Sequence, residues 1–277
     1  MLENIRALEA LIRKVSAEEL MPRFLTAPWH YKEDGSRVSE ADLAVQKRLQ
    51  KELEKLFPGV ELLGEEMSPA LQHSLCGKKG HLLWCLDPLD GTNNFASGFP
   101  FFCISLALLR DLQPLAGIVY DPTRDECFSA VHGEGAWLNG SKIRTRAVKS
   151  PLNRCIAMID FKRLPKILAR NMAERTPVGS WRYTGAGALE WCWLAAGRFD
   201  AYLHGGQKLW DFAAGALILS EAGGRMETLE GESLFAPGSL TRSVVAAPDP
   251  AFFSQWKQAI SERLTADHTE TFRNSEP

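Results

Sequence analysis

WCLDPLDGTNNF, residues 84–95, places two aspartates three positions apart where an apolar run ends. Pro88 cannot donate to a strand ladder, and Asp-Gly pairs mark turns, so we expect a buried strand to end here. Asp87 and Asp90 would then lie at the mouth of that strand, with the carbonyl of Leu89 able to point the same way. Mg²⁺ prefers such oxygen ligands and also binds substrate phosphates. After Gly91 the chain can open a helix whose free N–H groups face an anion.

Composition excludes several functional classes. The net charge of the 277 residues is −2, and the basic residues are scattered, which disfavours nucleic acid or an anionic membrane as partner. No apolar run approaches the roughly 20 residues of a membrane span. The N-terminus lacks a basic segment followed by an apolar one, so we expect no secretory signal and a cytoplasmic protein.

The cysteines predict buried free thiols in a reducing compartment. They form no Cys-x-x-Cys pair, and most lie among apolar residues. Zinc binding is disfavoured because no ligand cluster accompanies them. The six are Cys76, Cys85, Cys103, Cys127, Cys155 and Cys192.

Periodicity predicts alternating helices and strands. In the N-terminal half we expect a helix over 3–22, a loop over 25–38 and a helix from Ser39 to Leu56. Ser39 to Asp42 resemble a capping box, and the helix has a predicted buried stripe. A short strand over 60–63, a loop over 67–80, a strand over 81–86 and a hairpin over 101–120 follow. The predicted stripe is Leu43, Leu49, Leu53 and Leu56.

The second half also alternates strands with helices, which favours layered α/β or α+β packing. Helices are predicted over 164–175, 185–196, 211–221 and 249–264, with strands over 154–159, 199–203 and 243–246. We expect an N-terminal α+β lobe over 1–147 that carries the aspartate turn. A C-terminal α/β lobe over 148–277 would close the site.

Two further acidic positions follow predicted breaks in the chain. Gly64-Glu65-Glu66 by itself is typical of a solvated turn, and Trp210-Asp211 is typical of an acid beside a helix N-terminus. The Asp87–Asp90 turn alone fits either a ligand site or a cap. Their joint occurrence favours one shared site.

Together these motifs resemble the inositol monophosphatase superfamily of metal-dependent, often lithium-sensitive phosphatases. Its Asp-Pro-(Ile/Leu)-Asp-Gly-Thr element is matched by residues 87–92. Its Trp-Asp, eleven residues, Gly-Gly element is matched by residues 210–224. Its Gly-Glu-Glu and Val-Ser/Thr-x-x-Asp elements are matched by residues 64–66 and 38–42. The resemblance covers residues 3–263 and implies a layered αβαβα sandwich of the sugar phosphatase type.

The resemblance implies a role for each matched residue. Glu65 would bind the first metal, Asp87 would bridge two metals, and the Leu89 carbonyl would complete the first site. The second metal would be held by Asp90 and Asp211. Catalytic roles fall to Glu65, to Thr92 and to Asp42, which would pair with Thr92 and help position the attacking water. Glu66 is not expected to be a ligand.

At the substrate-binding positions that the resemblance implies, this sequence departs from the family pattern. Asp90, Gly91 and Thr92 would contact the phosphate, and the helix that faces the substrate would supply Gly185, Ala186 and Gly187. His204 stands where inositol-phosphate members carry a hydroxyl-binding glutamate, so a role in substrate binding and a hydrogen-bonded loop histidine both stay open. Arg182 and Lys208 are candidates for a second anionic group.

The resemblance thus implies a Mg²⁺-dependent phosphomonoesterase that hydrolyses an inositol phosphate or another polyol or sugar phosphate by metal-activated water. Alternatives are a 3′(2′),5′-bisphosphate nucleotidase with the same site and a non-catalytic binding protein that retains the fold. We expect a lithium-sensitive cytoplasmic homodimer with no nucleic-acid or membrane partner.

Overall fold

The N-terminal segment is a helix followed by a short β-ribbon. The computed structural model describes residues 2–31, 37–78, 80–236 and 240–265. Helix α1 (Leu2–Val15) continues through a π-helical turn at Ser16–Leu20 and a 3₁₀ turn at Met21–Arg23. Strands β1 (Trp29–Tyr31) and β2 (Arg37–Ser39) pair antiparallel, so the loop predicted over 25–38 was wrong at both ends. Three-residue strands are too short to show an alternating pattern. Residues 32–36 of that predicted loop lie outside the described residues.

Helix α2 (Glu40–Leu56) begins at the predicted capping box. Ser39 caps the helix and Asp42 caps in return, as predicted. The predicted buried stripe was partly wrong, because Leu43 and Leu56 are exposed. The buried positions repeat every four residues, which keeps them on one helix face. The apolar members of that face are Ala41, Val45, Leu49 and Leu53.

The first half then builds a seven-stranded sheet in the order β3-β4-β5-β6-β7-β8-β9, parallel only between β3 and β4. The loop predicted over 67–80 was wrong, since Ser68 caps a helix there and Pro69 occupies its first turn. The elements are β3 (Glu61–Gly64), α3 (Pro69–Cys76), β4 (Leu82–Asp90), α4 (Thr92–Ser97), β5 (Cys103–Arg110), β6 (Gln113–Asp121), β7 (Glu126–Val131), β8 (Gly135–Leu138) and β9 (Ser141–Ile143).

The second half builds a five-stranded sheet in the order β11-β10-β12-β14-β13. Every predicted helix and strand there is present, with shifted ends. The elements are β10 (Ile156–Asp160), α5 (Lys166–Glu174), β11 (Ser180–Arg182), α6 (Gly187–Ala195), β12 (Ala201–Lys208), α7 (Leu209–Ala222), β13 (Arg225–Glu227), β14 (Thr241–Ala247) and α8 (Pro250–Thr265).

Helices and sheets alternate in layers, which confirms the predicted sandwich. Helices α1 and α2 share one apolar core with an outer face of the large sheet, through residues such as Trp84 and Leu86. The alternate residues Leu83 and Cys85 face α6 and α7, which lie between the two sheets. Helices α5 and α8 cover the far face of the small sheet. The division into lobes at residue 147 stays a prediction, because α7 packs against both sheets.

The described cysteines are all free, and all but the half-buried Cys76 are buried, as predicted. Within the described ranges, no helix is both long and apolar enough to cross a membrane.

Candidate metal and phosphate site

The aspartate turn lies within the last residues of β4. The strand was predicted to end at residue 86, but it runs to Asp90, with a break in its register against β5 between Asp87 and Asp90. That break spares Pro88 from a ladder bond it could not make. The Leu89 N–H donates to Oδ1 of Asp87 at 3.0 Å, which fixes the carboxylate against its own turn.

Gly91 turns the chain from β4 into α4. Its φ of 93° is a left-handed conformation, and a Cβ there would lie 3.0 Å from the carbonyl oxygen of Phe101. Glycine is therefore required both by the backbone angle and by the close approach. Thr92 follows at once as the first residue of the helix, so this turn delivers its hydroxyl beside the aspartates.

One cavity of about 560 Å³ gathers the predicted metal-binding residues from separate elements. Glu65 comes from the end of β3, where its N–H donates to the carbonyl of Leu86 at 3.2 Å. Asp211 comes from the first turn of α7, and its Oδ2 accepts the N–H of Lys208 at 2.9 Å. The predicted metal and phosphate residues on the cavity wall are Glu65, Asp87, Leu89, Asp90, Gly91, Thr92 and Asp211.

Of the three aspartates in this set, Asp87 is buried, and Asp90 and Asp211 are half-buried. Burial, with the charge of Glu65 next, raises the pKa of Asp87 well above its usual range. Burial, followed by the charge of Asp211, does the same for Asp90. Burial and then Glu65 raise the pKa of Asp211 to about 6. In the part of the chain that the structure describes, no lysine or arginine forms a salt bridge with any of these three aspartates.

The donor set fits a hard divalent cation. Carboxylate and carbonyl oxygens are the ligands that Mg²⁺ and Ca²⁺ take, and such an ion would supply the positive charge that the aspartates lack. Among the described residues, no three His, Cys, Asp or Glu side chains are already gathered as closely as a bound ion requires.

Asp42 lies behind Thr92 rather than on the cavity wall. Its Oδ2 accepts the Ser39 N–H at 2.8 Å, and its Oδ1 accepts the Thr92 hydroxyl at 3.2 Å. Burial is the largest influence on the pKa of Asp42 and raises it to about 6. The predicted pairing of Asp42 with Thr92 is thus present in the structure.

The loop before α6 reaches the cavity through Gly185 and Gly187, whereas Ala186 is fully buried and does not line it. The Ala188 N–H donates to Oδ2 of Asp90 at 2.6 Å, which ties α6 to the aspartate turn. Of the residues predicted to contact substrate here, the structure therefore brings Gly185 and Gly187 to the cavity.

Glu190 is a cavity residue that the sequence motifs missed. Its Oε1 accepts the N–H groups of Thr184 and Gly185 at 3.1 and 3.2 Å. Burial is the main cause that raises the pKa of Glu190. No local motif marks this role, because the glutamate reaches back over its own helix start.

His204 lines the cavity but is buried, and both ring nitrogens contact protein groups. Nδ1 accepts the Gly206 N–H at 3.1 Å, so Nε2 carries the proton of the neutral ring. Nε2 lies 3.0 Å from Oδ2 of Asp160. Of the two roles considered for His204, this arrangement fits a hydrogen-bonded loop histidine. A substrate contact by His204 stays a prediction.

Of the basic residues predicted to bind a second anionic group, one lines the cavity and the other does not. Lys208 lines the cavity, and so does Arg163, which no motif indicated. Arg182 does not line the cavity, and its Nη1 donates to the Ser180 hydroxyl at 2.6 Å. Glu66, which was not expected to be a ligand, is also absent from the cavity wall.

Comparison with known proteins gives the family of this chain. The profile described as "Inositol monophosphatase family" matches residues 2–270. The "Nus factor SuhB" of Xylella fastidiosa is 37% identical over 193 residues, which is 67% of this chain and 66% of that protein. "Inositol monophosphatase 2" of Solanum lycopersicum is 35% identical over 240 residues, 81% of this chain and 85% of that protein.

The fold is shared with solved structures. The IMPase of Thermotoga maritima superposes with a TM-score of 0.80 at 26% identity, covering 95% of this chain and 98% of that one. The likeness therefore extends over nearly all of both chains.

Proposed function

This chain belongs to the inositol monophosphatase family, and from that premise we propose that it is a Mg²⁺-dependent phosphomonoesterase acting on a small soluble phosphate ester. The observation that supports this best is the shared cavity. Four carboxylates of the family motifs line it, from three separate elements, together with the turn at Gly91 and Thr92. A purely structural role would not require aspartates without cationic partners.

Glu65, Asp87, Asp90, Asp211 and the Leu89 carbonyl would hold the divalent cations. Mg²⁺ bound there would activate a water molecule and neutralise charge on the phosphate and the leaving oxygen. Structures described as an IMPase/NADP phosphatase with Mg²⁺ and phosphate, and with NADP and Ca²⁺, support a divalent cation in this fold. Mg²⁺ is the proposed physiological ion.

The chain's own groups would orient the reactants. The N–H groups of Gly91 and Thr92 would bind a phosphate oxygen. Because the Thr92 hydroxyl donates to Oδ1 of Asp42 at 3.2 Å or to the Leu89 carbonyl at 3.0 Å, its lone pairs would be left to accept a hydrogen bond from the attacking water. Glu65 lies on the same wall to accept the proton of that water.

The proposed reaction is a direct displacement. The water oxygen forms a bond to phosphorus, the ester P–O bond breaks, and a proton reaches the departing alkoxide. No side chain is phosphorylated. The Asp87 and Asp90 spacing also differs from the Asp-x-Asp-x-Thr pattern of phosphatases that form an aspartyl-phosphate.

Substrate, assembly and location are proposed from the family. A polyol or sugar phosphate is the proposed substrate class, with a 3′(2′),5′-bisphosphate nucleotidase as the alternative. A cytoplasmic homodimer without nucleic-acid or membrane partners is the proposed form, and the net charge of −2 supports the absence of a polyanion partner.

The deciding experiment is phosphate release with Mg²⁺ over a panel of inositol phosphates, sugar phosphates and adenosine 3′,5′-bisphosphate. We expect turnover of at least one compound, abolished by EDTA and restored by Mg²⁺. Absence of turnover across the panel, with a folded protein, would contradict the proposal.

A second candidate function is a non-catalytic interaction role. The observation that favours it is the name "Nus factor SuhB" carried by relatives 37% and 35% identical to this chain. Retention of every carboxylate implied by the family motifs favours catalysis instead. The panel assay separates the two.

A further inference from the structure

Arg163 lines the same cavity, and its side chain is 53% exposed. Arg163 ends a 3₁₀ turn at Phe161–Arg163, directly after β10. Its Nη1 lies 3.3 Å from Nε2 of His204, but that nitrogen carries the ring proton and cannot accept. Its one ion pair is loose, 3.8 Å from Oδ2 of Asp160. The donors of this arginine are therefore available to a ligand.

The position of Arg163 is set by contacts of its backbone turn rather than by contacts of its guanidinium. Asp160 is buried, and its Oδ1 accepts the Lys162 N–H at 2.9 Å, which shapes the turn. A Cβ at Gly205 would overlap the carbonyl of Arg163, so the turn packs directly against β12. His204 and Asp160 thus act as positioning residues, and Gly205 permits the close contact.

A second cation lies on the same wall. Lys208 has no carboxylate within ion-pair distance among the described residues. Arg163 and Lys208 line the same cavity as Asp211, so a single small molecule can reach both the acidic cluster and the cationic wall.

We propose that Arg163, with Lys208 beside it, binds a second anionic group of the substrate. The substrate class would then be a phosphate ester that also carries a phosphate or a carboxylate, rather than the phosphate of an uncharged polyol. This inference rests on the proposed phosphatase function. The imidazole of His204 fits it, since the negative charge of a glutamate at that position would repel a second anion.

Matched substrate pairs test the inference. One arm compares 2-phosphoglycerate with glycerol 2-phosphate, and the other compares fructose 1,6-bisphosphate with fructose 1-phosphate. In at least one arm we expect kcat/KM to be about tenfold or more higher for the compound with two anionic groups, as charge-assisted hydrogen bonds provide. A preference in the first pair would identify a carboxylate as the second anionic group, and a preference in the second pair would identify a phosphate.

Arg163→Gln should lower that preference about tenfold, mainly through KM, and Arg163→Lys should restore part of it. Arg182→Gln is the matched control, because Arg182 lies outside the cavity wall and should leave the preference unchanged. Equal kcat/KM within both pairs, or a preference that Arg163→Gln does not reduce, would overturn the inference while leaving the phosphatase proposal standing.

Calorimetric binding of the same pairs in Ca²⁺ gives a readout that does not need turnover. If no ester is hydrolysed, the phosphatase proposal fails, yet tighter binding of the doubly anionic compound that is lost in Arg163→Gln still supports this assignment. Equal binding of both members by the wild-type protein would refute it.

Discussion

The Thr92 hydroxyl lies 3.2 Å from Oδ1 of Asp42, and this contact joins the first turns of α4 and α2. The other oxygen of the same carboxylate caps α2 through the Ser39 N–H. One buried aspartate thus stabilises a helix start and orients a hydroxyl at the cavity.

Thr92→Val should therefore lower kcat, with a loss of stability of about 1–3 kcal/mol because buried Asp42 loses a donor. The valine keeps the volume but removes the group proposed to receive a hydrogen bond from water, and proton-handling groups contribute about a hundredfold or more to rate. The measurement is steady-state phosphate release, with the melting temperature followed in parallel. Thr265→Val is the control, because that hydroxyl contacts the Ser261 and Glu262 carbonyls of its own helix α8 and lies outside the cavity wall. A rate equal to that of the control would contradict the proposed role of Thr92.

Asp90→Asn should abolish Mg²⁺-dependent phosphate release. The amide can still accept the Ala188 N–H, so the link to α6 survives while the charge that would hold the cation is lost. Activity should fall by at least two to three orders of magnitude, as for loss of a group that stabilises transition-state charge. Asp111→Asn is the matched control, since Asp111 is exposed and does not line the cavity. Undiminished activity in Asp90→Asn would remove that residue from the metal site.

Lithium should inhibit the enzyme at tens of millimolar. A monovalent ion that enters the carboxylate cluster satisfies its oxygens but supplies half the charge of Mg²⁺, so it stabilises the phosphate and leaving oxygen less. The expectation comes from the family. Initial rates in LiCl should fall below those in equal NaCl, and identical rates in the two salts would speak against it.

The residues at the acidic end of the cavity could be predicted to lie together because they belong to short motifs, and their metal-binding roles stay predictions. Asp87 to Thr92 are contiguous, and the turn at Gly91 can be read from local chemistry alone. Asp42 and Thr92 are fifty positions apart in the chain, yet the family motif linked them and the structure has their hydrogen bond.

The cationic wall could not be predicted in the same way. Arg163 reaches the cavity because β10 and β12 pair in parallel, with Asp160 opposite His204. That register depends on the whole small sheet and leaves no local signal. The helix over 69–76 was missed for a different reason, since Ser68 and Pro69 are a visible helix start whose apolar periodicity is weak.

The acidic cluster should make the metal-free protein less stable as pH rises. The folded-state pKa of Asp211 is raised from 3.8 to about 6, so the folded protein binds this proton more tightly than the unfolded chain does. Stability from this group is therefore present below about pH 4 and is lost as pH rises through about 6. One pKa unit is about 1.4 kcal/mol, so the loss is on the order of 1–3 kcal/mol. In EDTA, Asp211→Asn should match the wild type near pH 4 and exceed it in free energy of unfolding at pH 8, by urea titration. Mg²⁺ should reverse the order at pH 8, because it stabilises only the protein whose carboxylates can bind it. An equal free energy of unfolding for wild type and Asp211→Asn, in EDTA at pH 8, would show that the ionised carboxylate of Asp211 does not destabilise the metal-free protein.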